Sequence, residues 1–162
     1  STDLPRLSLV IPARNEERHL PALLDSVAVA RHRFGAAVEV IVADNVSEDS
    51  TAELARAGGA RVVTVEKRVI AAVRNGGAAA ATGELLAFID ADCTIHPDSF
   101  TAIDRALGDP RPEYRGAHQE DHARDLREPP YVGENTSSIP VTAATPGATR
   151  NGENILAIIA IS

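Results

Sequence analysis

Tryptophan and methionine are both absent from this chain of 162 residues, and aromatic residues make up only 3% of it. A core must therefore come mainly from Ala, Val, Leu and Ile, as in parallel sheets buried on both faces, and no Trp is available to anchor a sugar ring. Cys93 is the only cysteine, which excludes an intrachain disulfide. It reads as a small buried hydrophobe in a cytoplasmic compartment. Lysine occurs once, at Lys67, and the net charge is -7, so the clustered basic side chains that neutralise nucleic-acid phosphates are missing. No apolar run reaches the roughly 18 to 20 residues that span a bilayer, and no export signal opens the chain. A cytoplasmic protein, at most peripheral to a membrane, is expected. The lack of Met in a chain that starts at Ser1 reads as processing or trimming, or as methionines recorded otherwise.

What is present alternates. Leu7 to Ile11 is a β-rich run ended by Pro12, and Glu16 to about Ala30 puts Leu20, Leu23, Leu24 and Val27 on one helical face. Val38 to Ala43 is a second strand, Ser50 to Ala57 a short helix, and Arg61 to Val65 a third strand closed by Glu66-Lys67-Arg68. Val69 to Ala81 is an Ala-rich helix carrying Gly76-Gly77, which either admit a close neighbour or break it, and Thr82-Gly83 end it. A strand to Asp90 follows, and Pro97 suits the first turn of a helix to about Leu107. This βαβαβ order prescribes a three-layer α/β/α fold with a mostly parallel sheet. The length fits one domain over 1–162, with a ligand-binding half to residue 110 and a short, atypical region over 111–162. Arg111 to Ser138 is polar and aperiodic, either an active-site loop or disorder. Ile155 to Ile161 reads as a final strand in preference to a short packed helix.

The most informative stretch is Glu84-Leu85-Leu86-Ala87-Phe88-Ile89-Asp90-Ala91-Asp92. It is an apolar strand that delivers two acids to its C-terminal edge, where open α/β sheets bind ligands. Hard carboxylate oxygens at this spacing suit Mg2+ or Mn2+, which take their remaining ligands from water and substrate phosphate. Pro12 to Glu17 and Asp44 to Thr51 also follow strands, so three segments should converge on one crevice. Local caps are expected there as well, from Asn15 for the first helix and from Ser47 with Ser50 or Thr51 for the second.

In order, I-P-A-R-N-E-E, V-A-D-N-V-S-E-D-S-T and V-R-N-G-G-A-A-A-A-T-G-E-L-L-A-F-I-D-A-D resemble the family 2 glycosyltransferases of the GT-A, Rossmann-like fold. The resemblance covers about Leu7 to Leu107. It implies a hexosyltransferase-type enzyme using a nucleoside-diphosphate sugar, most readily a UDP sugar, with Mn2+ or Mg2+ as cofactor. The acceptor would be a sugar, lipid or other hydroxyl compound, and transfer would invert the anomeric carbon. Carried over by position, Pro12, Ala13, Arg14 and Glu16 would line the nucleoside site, and Asp44 would accept from a base N–H. Arg74 and Asn75 would contact nucleotide or diphosphate. Asp90 would lie beside the ribose, Ala91 would be part of the nucleotide site, and Asp92, with Asp90, would hold the metal.

The chain departs from that family in two places. Its second-strand motif is usually D-D-G-S-x-D-x-T, whereas Asn45 stands here for the second acid and Val46 for the glycine. From Arg111 onward the acceptor-side pattern is not recognisable, and the local candidates for a general base are Glu120 and Asp121. His118 and His122 could ligate a metal if helical, but a solvated polar segment is preferred, and the Asn135-Thr136-Ser137 sequon is taken as incidental. Two other readings compete. One is a non-catalytic or truncated nucleotide-sugar-binding module. The other, weaker, is a haloacid-dehalogenase-like phosphatase with Asp90 as nucleophile and Asp92 as acid/base, although that motif belongs on a first strand. Nucleotidyltransferases and dinucleotide enzymes would need a Gly-rich turn after the first strand, and there is none.

Overall fold

A computed structural model describes residues 4–108 and the backbone of 141–144, 149–150, 153–154 and 157–160. Four βα units come first: β1 Leu7–Ala13, α1 Leu20–Phe34, β2 Val38–Asp44, α2 Thr51–Ala57, β3 Arg61–Thr64, α3 Ile70–Ala80, β4 Leu85–Phe88 and α4 Ser99–Gly108. Strands β5 Val141–Ala144, β6 Thr149–Arg150, β7 Glu153–Asn154 and β8 Ala157–Ala160 follow. The main sheet has the order β3-β2-β1-β4-β8-β5. It is parallel from β3 through β8, and β5 pairs antiparallel at the edge. The expected final strand is thus β8, inserted beside β4.

Side-chain alternation along the strands builds the two cores. Leu7, Leu9 and Ile11 of β1, Val38, Val40 and Val42 of β2, and Leu85 and Ala87 of β4 meet α1, α2 and α4 on one face. Val10, Ile41, Ala43, Leu86 and Phe88 point the other way, onto Val73 and Ala78 of α3. Leu20, Leu23, Leu24, Val27 and Ala30 form the buried stripe of α1, and Phe100 and Ile103 of α4 are buried beside it. Each large aliphatic side chain so buried contributes roughly 1.5 to 3 kcal/mol. This offsets the scarcity of aromatics, whose one ring contact is Phe34 against Phe100 at 6.2 Å among the described residues. Cys93 is half-buried at the margin of the core.

Several local expectations need correction. Strand β1 does not stop at Pro12 but runs on to Ala13, because β2 pairs with it that far, whereas β4 pairs only with Leu7 to Val10. Beyond Val10 the β4 side asks for no backbone donor, so a proline there costs no ladder bond on that side. Helix α1 begins at Leu20, not Glu16, and residues 14–19 form the loop before it. Its N-cap is His19, without a side-chain bond, so Asn15 does not cap it. Nor does a hydroxyl cap α2: the carboxylate of Asp49 takes the Thr51 N–H at 2.9 Å. Pro97 lies in the turn ahead of α4, not inside its first turn.

Gly76 and Gly77 do not break α3. They let it lie close to the sheet, since a Cβ at Gly77 would run into Val10 Cγ1 and one at Gly76 into Val65 Cγ2. Among the described residues no helix is long and apolar enough to cross a membrane.

Candidate nucleotide and metal site

Because β1, β2, β3 and β4 are parallel, their C-terminal ends share one edge, and a cleft of about 370 Å³ opens there. Pro12, Ala13, Arg14 and Glu16 enter it from the end of β1, and Asp90, Ala91 and Asp92 from the end of β4. Asn45 reaches it from β2, while Arg68, Ile70 and Val73 close the side formed by the entry to α3. This size lies in the range of small-molecule sites.

The two loops after β1 and β2 are latched together. Asn15 N donates to Ser47 Oγ at 2.9 Å, and Asn15 Oδ1 accepts from Glu48 N at 2.8 Å. Glu16 N donates to Thr51 Oγ1 at 2.9 Å, Glu17 N to Asp49 Oδ2 at 3.2 Å, and Ser50 N to Glu17 Oε2 at 3.1 Å. Desolvation opposes the charged form of Asp49, but the donors on Thr51 and Glu17 outweigh it and hold its carboxyl below the usual aspartate value. Asn15 and Val46, at φ 52° and 53°, are the positive-φ non-glycine residues among those described. The latch requires the left-handed turn at Asn15, a residue type that tolerates it. Such prior ordering lowers the entropic cost of binding.

Asp44 ends β2 beneath this latch and is only 6% exposed. Its Oδ1 accepts from Ser47 Oγ at 2.5 Å, and Ser47 N approaches both carboxylate oxygens at 3.3 and 3.4 Å. It is not among the residues that line the cleft. Asn45, the next residue, is 7% exposed and does line the cleft. Its N–H donates to Ala13 O at 2.9 Å, and its Nδ2 donates to Val65 O at 2.6 Å and Lys67 O at 3.2 Å.

Asp90 and Asp92 are both exposed on the cleft side of the β4 exit. Arg74, from α3, brings Nη2 to 3.7 Å from Asp90 Oδ1. Its Nε is buried with no hydrogen-bond partner among the described residues. No group of three or more His, Cys, Asp or Glu among the described residues forms a metal cage. Two accessible carboxylates on one strand end still fit a hard divalent cation, because such ions keep several waters and take further oxygens from a bound phosphate.

The model of glycosyl transferase family 2 matches residues 8–128. The chain belongs to glycosyl transferase family 2. Its curated relatives include the 4,4'-diaponeurosporenoate glycosyltransferase of Staphylococcus haemolyticus, 37% identical over 118 residues, which are 68% of this chain and 30% of that one. The mouse dolichyl-phosphate beta-glucosyltransferase is 33% identical over 121 residues, 66% of this chain and 37% of the relative. This chain thus spans about a third of the length of the relatives it matches. Among solved structures, glucosyl-3-phosphoglycerate synthase from Mycobacterium tuberculosis, in complex with Mn2+, UDP and glucosyl-3-phosphoglycerate, superposes with a TM-score of 0.55. The identity is 30%, and 64% of this chain and 39% of that one are covered. The S. aureus TarS structure of residues 1–349 gives 0.53 at 25% identity, covering 64% and 32%. The fold is therefore that of the GT-A nucleotide-sugar transferases.

For a family 2 glycosyltransferase, the expected set is only partly assembled. Pro12, Ala13, Arg14, Glu16, Asp90, Ala91 and Asp92 meet in one cleft. Arg74 adjoins it through Asp90, whereas Asn75 is exposed on α3 and does not line it. Glu120 and Asp121, and with them His118 and His122, lie outside the described residues. Sequence reasoning missed Asn45 as a wall residue, together with Arg68, Ile70 and Val73. Only the position of Arg68 just ahead of a helix, in a chain poor in clustered cations, hinted at it.

Proposed function

We propose that the chain forms the donor-binding part of a glycosyltransferase that takes a nucleoside-diphosphate sugar, most readily a UDP sugar, with Mn2+ or Mg2+. The observation that carries this reading is the convergence of Asp90 and Asp92 with Pro12 to Glu16 and Arg68 in one cleft at the carboxyl edge of the sheet. Further support comes from glucosyl-3-phosphoglycerate synthase, which has been crystallised with Mn2+ and UDP-glucose. The β1 exit would receive the nucleoside. Asp92, joined by Asp90, would hold the cation. A bound cation would offset the repulsion between these carboxylates and the diphosphate and stabilise the departing diphosphate.

Transfer is proposed to proceed with inversion. An acceptor hydroxyl oxygen forms the bond to the anomeric carbon as the bond to the diphosphate breaks, the diphosphate leaving with the electron pair. A general base takes the hydroxyl proton, a role proposed for Asp121 or Glu120. The acceptor is a hydroxyl compound, and a cytoplasmic position, at most peripheral to a membrane, is proposed with it. Thermal shift of the chain with UDP, UDP-glucose and other nucleotides, with and without Mn2+, tests the donor reading. A stabilisation by UDP that grows with Mn2+ is expected, and no shift with any nucleoside diphosphate would contradict it.

A further inference from the structure

Asn45 joins three strand ends. Its backbone N–H holds Ala13 O at the end of β1, and Val65 N beside it donates to Asp44 O at 2.9 Å, closing β3 onto β2. The side chain then continues where the ladder stops: Nδ2 reaches Val65 O at 2.6 Å and Lys67 O at 3.2 Å. Both partners are carbonyls, so the bonds need a donor. An amide supplies two N–H groups, whereas an ionised carboxylate supplies none and would face two acceptors. The acid that the family motif usually has here could not make these contacts, and the amide can. The segment it grips leads directly into Arg68, a cleft-lining cation without an ion-pair partner among the described residues.

We infer that Asn45 is a positioning residue that fixes the 65–69 segment so that Arg68 points its guanidinium at the diphosphate of the donor. This rests on the donor-site reading above and deepens it. A guanidinium suits a diphosphate through paired, charge-assisted hydrogen bonds, but only if the loop carrying it is held. The effect of Asn45 should therefore be selective for the diphosphate and should vanish once Arg68 is gone.

The test is calorimetric titration of the full chain with UDP and with uridine, each in Mn2+, for wild type, Asn45→Ala, Arg68→Gln and the double variant. Asn45→Asp serves in place of the alanine if the latter does not fold. Each single substitution should weaken UDP about tenfold or more, the scale for a charge-assisted contact, and leave uridine unchanged. The double variant should bind UDP no more weakly than Arg68→Gln alone, as for residues acting through one another. Wild-type UDP affinity in Asn45→Ala, full additivity with Arg68→Gln, or an equal loss for uridine would each overturn the assignment. A wild-type chain that binds neither uridine nor UDP would instead overturn the donor-site reading on which it stands.

Discussion

Arg74 Nη2 stands 3.7 Å from Asp90 Oδ1, across the gap between α3 and the end of β4. The pair ties the helix that closes the cleft to the strand that delivers its acids. At this distance, with the two side chains 30% and 56% exposed, it is a weak contact in water. Arg74 thus sets one cation beside Asp90, while its Nε is buried and without a hydrogen-bond partner among the described residues.

Replacing Arg74 by Gln should therefore hurt ligand binding more than folding. We expect UDP affinity in Mn2+ to fall by about 1.5 to 3 kcal/mol, the range for a hydrogen bond to a charged group. The urea midpoint should move little. Unchanged affinity by calorimetry would remove Arg74 from the site.

Val46 holds φ 53° in the turn where the family motif usually has glycine. A β-branched residue in the left-handed region is strained, and Val46, 38% exposed, gives up little burial on replacement. Val46→Gly should raise stability by roughly 1 kcal/mol, strain relief of about 1 to 3 less the entropic cost of glycine. Urea unfolding checks the sign, and a loss of stability would contradict the account of this turn.

Gly77 supplies the opposite case. Alanine is the better helix former by about 1 kcal/mol, so α3 alone would favour Gly77→Ala. The sheet does not, because the new Cβ would collide with Val10 Cγ1 and lie 3.3 Å from Ala43 Cβ. We expect a net loss of about 1 to 3 kcal/mol, the usual cost of overpacking a core. A gain by urea unfolding would mean that α3 does not rest on β1 as described.

At the far end of the sheet Glu39 ties β2 to the start of β4. Burial pushes its carboxyl up. Thr82 N and Oγ1 and Ser8 Oγ, all donating at 2.9 Å, outweigh this with the charge of Arg61 and hold it below the ordinary value of 4.5. A depressed folded-state value means stability that is fully present above the unfolded value and lost as pH falls through the folded one. Wild type should lose stability below about pH 4.5 more steeply than Glu39→Gln. Parallel slopes in urea midpoints from neutral to acid pH would show that Glu39 contributes nothing to the dependence.

The sheet was legible because its information is local. Val38 to Ala43 and Leu85 to Ile89 are apolar runs bounded by acids and turns, and such runs in alternation with helical stripes leave few topologies. The convergence of Asp90 and Asp92 on the cleft was legible because they stand at the end of such a run, at the carboxyl edge of the sheet. What escaped depends on partners far away in sequence. Asn15 looked like a helix cap, yet its side chain is taken by Glu48 N, 33 residues on. Asn45 looked like a lost acid, yet its amide grips carbonyls 20 and 22 residues away. Pro12 looked like a strand end until the short reach of β4 removed the need for its missing N–H.

The central claim is that Asp92, with Asp90, brings a divalent cation to a nucleoside diphosphate in this cleft. Calorimetric titration of UDP into wild type, Asp90→Asn and Asp92→Asn, each with and without Mn2+, tests it most directly. The account predicts Mn2+-dependent binding in wild type, its loss in Asp92→Asn with the fold intact, and a smaller loss in Asp90→Asn. Equal Mn2+-dependent affinity in wild type and Asp92→Asn would contradict it.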